Sequence, residues 1–149
     1  MSEPLAPRSL NLALQGGGPH GALTWGVLDA LLEDGGIAFD SISGASAGAM
    51  NAVAVAHGFA QAAQQYQDPH DVRQAGADLA RATLTRLWEG TGAMGNMAWG
   101  APLSQVFPGL AMMTPWLAPA QANPLDINPL RDLLEREVDF GLLAASSAA

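Results

Sequence analysis

Residues Leu10 to Gly21 read LNLALQGGGPHG, an apolar run that ends in three consecutive glycines, with a fourth after two intervening residues. The run from Leu10 to Gln15 is short and bounded by glycine, which suits a buried strand. From Gly21 to Glu33 the spacing turns helical, with Leu23, Val27, Ala30 and Leu31 on one face. Gly35 is placed to end that helix in a left-handed cap. A second short strand, about Phe39 to Ser43, runs into Gly44-Ala45-Ser46-Ala47-Gly48, and the alanine-rich stretch that follows reads as a helix with small residues for close packing. Strand, glycine turn and helix, twice over, predict an α/β fold with a parallel sheet.

Composition narrows the class. The 149 residues are 49% hydrophobic and only 13% charged, which is a core-rich chain of one domain or part of one. Net charge is −8 and all six cations are arginines, so the basic footprint of a nucleic-acid binder is absent and a strongly anionic membrane would repel the chain. Cysteine is missing, which excludes disulfides and thiolate metal sites. Apolar stretches are broken by Gly, Pro, Asn or Gln, and MSEPLAPRSL lacks the flank and core of a secretion signal. Cytoplasm is therefore the default localisation.

Further along, Asp68-Pro69 opens a third helix, with Val72, Ala75, Leu79, Thr83 and Leu87 on its face and Gly90 as its stop. Thr91 to Ile127 has no periodicity and is rich in Met, Trp and Pro. Asn128-Pro129 caps a last short helix with Leu130, Leu133 and Leu134 inward, and 141–149 reads as an unstructured tail.

The glycine turn has two chemical readings, both of which bring backbone amides to an anion. Gly16, Gly18 and Gly21 match G-x-G-x-x-G between a strand and a helix, and Asp40 lies near the offset of a ribose-binding carboxylate, so a dinucleotide site is one reading. The strand before Asp40 is only Ile37-Ala38-Phe39, and Pro19 stands where free amides are needed. The other reading starts from Gly44-Ala45-Ser46-Ala47-Gly48. G-x-S-x-G between strand and helix is the nucleophile elbow, where a strained turn demands small neighbours around the serine. In a parallel sheet both turns lie at the carboxyl ends of adjacent strands and face one crevice, so the glycine loop would offer N–H groups to a tetrahedral oxyanion. The second reading is the stronger.

On LALQGGGPHG, FDSISGASAGAMNA and, more loosely, NPLDINPLRDLLEREVDF, the chain resembles the patatin-like phospholipases, serine lipid acyl hydrolases, over 10–140, with 1–9 as an N-terminal extension. The resemblance implies a three-layer α/β fold with a mainly parallel central sheet. It also implies Ser46 as nucleophile, an oxyanion hole from Gly16, Gly17 and Gly18, elbow glycines Gly44 and Gly48, and a loop completed by His20 and Gly21. No metal or organic cofactor is implied. The partner is a lipid or ester substrate, with peripheral membrane contact through Met94, Met97, Trp99, Met112, Met113 and Trp116 as one use of the irregular segment. Packing of those residues inside the domain is the plainer alternative. Oligomeric state is not readable.

Two departures stand out. His20 occupies a position where the family usually has Arg or Lys. The resemblance also implies a Ser–Asp dyad with the Asp in a D-G-[AG] motif downstream of the elbow, and none follows Ser46. Asp34-Gly35-Gly36 precedes the elbow and ends a helix that starts at the glycine loop, about 20 Å away at 1.5 Å per residue, too far for a general base. His20 is the other nearby titratable group. His57, some three turns into the elbow helix, and His70, at the start of the next, read as structural or surface residues, and Asp126, Asp132 and Asp139 as caps or surface charges. The expectation is an incomplete, N-terminal portion of the domain whose general base lies outside this chain. The alternative is a catalytically inactive fragment that binds lipid or a partner, and a dinucleotide-binding half-domain ranks third.

Overall fold

The computed structural model of the chain describes residues 8–95 and 128–146. Their order is strand β1 (Arg8–Leu14), a 3-10 turn (Gly18–His20), helix α1 (Gly21–Asp34), strand β2 (Ile37–Gly44), and helices α2 (Ala47–Gln65), α3 (Pro69–Met94), α4 (Pro129–Glu137) and α5 (Phe140–Ser146). The chain is thus mixed α/β with a parallel β1–β2 sheet among the described residues.

Register in that sheet sets the level of the two glycine turns. Arg8 pairs with Ile37 and Leu14 with Gly44, so both strands end at the same height. Between Leu10 and Asn11 the pairing slips by one residue, because Asp40 is an extra residue on β2. A regular strand would send Phe39 and Ile42 to opposite faces; the bulge resets the alternation so that both pack against the core with Leu12 and Leu14. The other face stays exposed, and there the Ser41 hydroxyl donates to Asn11 Oδ1 at 2.7 Å.

The core is built on α2 against α3. Leu28 and Leu32 of α1, Met50, Ala54 and Val55 of α2, Ala80, Leu84 and Leu87 of α3 and Leu133 of α4 form one buried cluster. Each large apolar side chain buried this way contributes about 1.5–3 kcal/mol. Helices α2 and α3 cross where Gly58 lies on the Ala80 backbone, with no room for a Cβ. Arg81 of α3 donates to both carboxylate oxygens of Asp29 on α1, at 2.8 and 3.3 Å. Its guanidinium pKa is raised by that hydrogen bond.

Helix ends follow the sequence closely. Gly35 takes a left-handed conformation (φ 66°) and closes α1. Asp68 caps α3 by accepting from the N–H groups of His70 and Asp71, and Asn128 caps α4 by accepting from that of Arg131.

Five expectations are corrected. Strand β1 begins at Arg8, so the proposed extension 1–9 already enters the sheet, while β2 is longer at both ends than Phe39–Ser43. Helix α1 buries Gly21, Leu28 and Leu32, whereas Leu23 and Val27 are 77% and 54% exposed. Apolar residues surround this helix, so periodicity alone left its phase undetermined. Gly90 does not stop α3, which runs on to Met94 and Gly95. Instead a Cβ at Gly90 would stand 2.7 Å from Leu133, so this glycine makes room for α4. Finally, residues expected as an unstructured tail form α5, whose first turn is held by Asp139 Oδ1 accepting from Leu142 N–H at 2.9 Å. No described helix is long and apolar enough to cross a membrane.

Candidate active site

Ser46 sits between the end of β2 and the first residue of α2, and it is exposed. Its backbone has φ 52° and ψ −123°, and among the described residues it is the sole non-glycine with positive φ. Such a conformation costs about 1–3 kcal/mol and persists only where the surroundings enforce it. Here they do. A Cβ on Gly44 would collide with the Gly48 backbone, and one on Gly48 with the carbonyl of Leu14. Ala45 N–H donates to Leu14 O at 3.1 Å, and Gly48 N–H to Ala45 O at 2.9 Å. Both elbow glycines are therefore required by backbone contact.

A serine at a helix N-cap normally spends its Oγ on the first free N–H groups. Ser46 makes no such bond, because its twisted backbone turns the hydroxyl away from that role. The hydroxyl thus remains available, and the N–H of Ala47 has no acceptor among the described residues.

The glycine loop lies directly against this turn. A Cβ on Gly16 would stand 2.8 Å from Ala45 O and 3.0 Å from Ser46 Cβ. Gly18 takes φ 57°, and His20 N–H returns to Gly17 O at 3.2 Å to close the 3-10 turn. His20 Nδ1 also donates to Gly17 O, at 3.1 Å, which leaves Nε2 as the acceptor of the neutral ring. Among the described residues the N–H groups of Gly16, Gly17 and Gly18 have no acceptor. A depression of about 360 Å³ beside them is lined by Gln15, Gly16, Gly17, His20, Gly21 and Thr24.

The remaining candidates fall elsewhere. Asp34 is the last residue of α1 and accepts from Gly36 N–H at 3.2 Å, a local cap. Asp40 is the exposed bulge residue in mid-strand, four residues before β2 ends. That is about 13 Å short of the crevice a ribose would occupy, which removes the support it gave to a dinucleotide site. Asp132 is exposed in the first turn of α4 and Asp139 caps α5. Asp126 and the residues Met97, Trp99, Met112, Met113 and Trp116 lie outside the described residues, while Met94 packs against the core. His70 is exposed with Asp68 and Asp71, a group with metal-ligand spacing, but Asp68 is already the cap of α3.

His57 is 4% exposed, and neither ring nitrogen has a partner among the described residues. Burial lowers its pKa, with Asp139 opposing and Arg86 reinforcing that shift. Nearby, burial pushes the Glu137 carboxyl up, but hydrogen bonds from Arg136 and Arg86, each 2.9 Å, outweigh it and leave the pKa lowered.

Two features escaped the sequence reading. The Ala47 N–H was one, although its place after the elbow serine marks it. The other is Asn51, fully buried one and a half turns beyond Ser46, which donates to Gly21 O at 3.1 Å and accepts from Trp88 Nε1 at 2.7 Å. A lone Asn on an alanine-rich helix was the available signal.

An exposed, strained serine between a parallel strand and a helix, packed against a glycine turn, is the backbone geometry of an elbow in the α/β class. The patatin-like phospholipase family model matches residues 12–148, and the chain belongs to that family. No curated protein and no solved structure gave a match.

Proposed function

We propose that this chain carries the nucleophile and the oxyanion site of a serine acyl hydrolase acting on fatty-acyl esters. The observation that carries the reading is Ser46, held at φ 52° with Gly16 packed on its Cβ and its hydroxyl free of any cap bond. Ser46 Oγ attacks the ester carbonyl as its proton passes to a general base. The carbonyl electrons move onto oxygen, which accepts from the N–H groups of Gly16, Gly17, Gly18 and Ala47. Each such donor lowers the barrier by about 3 kcal/mol. Collapse expels the alcohol, which takes the proton, and water then releases the fatty acid by the same steps in reverse order.

Family membership supports an aspartate as the base. Asp34, Asp132 and Asp139 are each placed as caps or surface charges, so the reading assigns the base to a carboxylate other than these. The absence of a D-G-[AG] motif after Ser46 favours a second reading, a non-catalytic lipid- or partner-binding module. Hydrolysis of p-nitrophenyl butyrate and octanoate by the chain and by Ser46→Ala separates the two. Activity lost in Ser46→Ala supports the nucleophile and a base within the chain. Equal background in both, together with no acylation of Ser46, favours the binding module.

A further inference from the structure

The glycine loop is fastened at both ends, and only one fastening comes from the elbow itself. At its start, Gly16 rests on Ala45 and Ser46. At its end the chain enters α1 through Gly21, whose carbonyl accepts from Asn51 Nδ2 at 3.1 Å. Asn51 belongs to α2, the helix that begins at Ser46, so a single rigid element carries both the nucleophile and the group that holds the loop.

The second bond of Asn51 fixes its orientation. Indole N–H groups only donate and carbonyls only accept, so Oδ1 must face Trp88 and Nδ2 must face Gly21. Trp88 is itself constrained. Its ring edge fills the place a Cβ on Gly21 would take, 2.7 Å away, and it stacks on Trp25 of α1 with centroids 6.5 Å apart and planes 5° from parallel. Three helices thus meet at Gly21, and Asn51 is the hydrogen-bonded link among them.

We propose that Asn51 is a positioning residue of the Ser46 site: by donating to Gly21 O and accepting from Trp88, it sets how the N–H groups of Gly16, Gly17 and Gly18 stand relative to Ser46. The proposal rests on the acyl-hydrolase reading for its chemical meaning, since a misplacement of about 1 Å at an oxyanion site costs about 100-fold in rate. A buried Asn with a merely structural role would stabilise the whole core and leave the loop no more sensitive than the rest.

Amide hydrogen exchange by mass spectrometry, followed at the hydrogen-bonded N–H groups of His20 and Gly21 and over the core of α3, tells these apart. In Asn51→Asp the acceptor for Trp88 is kept and the donor to Gly21 is lost. Exchange at His20 and Gly21 is expected to accelerate on the order of tenfold while the α3 core changes far less. Trp88→Phe keeps an aromatic side chain but loses the indole N–H and the ring edge that packs on Gly21, and is expected to give about threefold at the same amides. Loop exchange that is unchanged, or that rises only in step with the core, overturns the proposal, and if Asn51→Asp does not fold the Trp88→Phe result decides by the same criterion. In parallel, Ser46 labelling by a fluorophosphonate is followed in the unaltered chain. Its absence there refutes the hydrolase reading, whereas exchange decides the role of Asn51 independently.

Discussion

The start and the middle of α2 treat unsatisfied polar groups in opposite ways. At its N-terminus Ser46 is exposed and makes no cap bond, and Gly16 and Gly17, whose N–H groups have no acceptor among the described residues, line an open depression. Water can satisfy them, so leaving them unpaired costs little, and the expense lies in the backbone strain at Ser46. Three turns on, buried His57 has no partner for either ring nitrogen among the described residues, and burial lowers its pKa. Donors without an acceptor beside a strained serine suit the proposed oxyanion site. A buried unpaired ring makes stability depend on pH. The same helix therefore carries a candidate for chemistry at its start and a liability in its middle.

The largest expected effect comes from breaking the elbow packing. Gly48→Ala puts a Cβ into the carbonyl of Leu14, against backbone that cannot yield, and is expected to cost about 3 kcal/mol in a denaturant melt. Ser46→Gly works in the opposite direction. Relief of the positive-φ strain, less the added entropy of glycine when unfolded, is expected to raise stability by about 1 kcal/mol while removing the nucleophile.

At His57 the expected signature is pH. A His whose folded pKa lies below 6.5 binds fewer protons than the unfolded chain once pH falls beneath that value. Its contribution is therefore full above pH 6.5 and is lost as pH drops further, with Arg86 and Asp139 as the charged groups that modulate it. Melting temperature should decline from pH 7 to 5, and His57→Leu should flatten that slope. Glu137 acts lower down. Its pKa is below the ordinary 4.5, so its ion pairs with Arg86 and Arg136 are lost as pH falls under that value. The smallest effect is a control for glycine itself: Gly26→Ala, with nothing within 4 Å of the new methyl, should stabilise α1 by about 0.5–1 kcal/mol.

Local rules made the strand–glycine–helix units legible. Gly35, Asp68 and Asn128 act as the caps their residue types announce, and Gly44 and Gly48 are glycines because backbone passes within contact distance. Features that depend on neighbours were hidden. Leu23 and Val27 form as regular a stripe as Leu28 and Leu32, and only the positions of α2 and α3 decide which is buried. Gly90 looked like a stop because its partner Leu133 is 43 residues away in sequence, and the bulge at Asp40 has no composition cue. Within the site Ser46 and Gly16–Gly18 were readable from the motif, while Asn51 acquires its role only through Gly21 and Trp88.

The central claim, that the Ser46 turn and the glycine loop form one reactive site, is tested most directly by covalent labelling. The chain would be treated with a fluorophosphonate and the modified residue located by mass spectrometry, beside Gly16→Ala, in which a methyl is forced against Ala45 O and Ser46 Cβ. The account predicts a single adduct on Ser46 and a labelling rate reduced on the order of 100-fold in Gly16→Ala. Adducts spread over other serines, or equal rates in the two proteins, would contradict it.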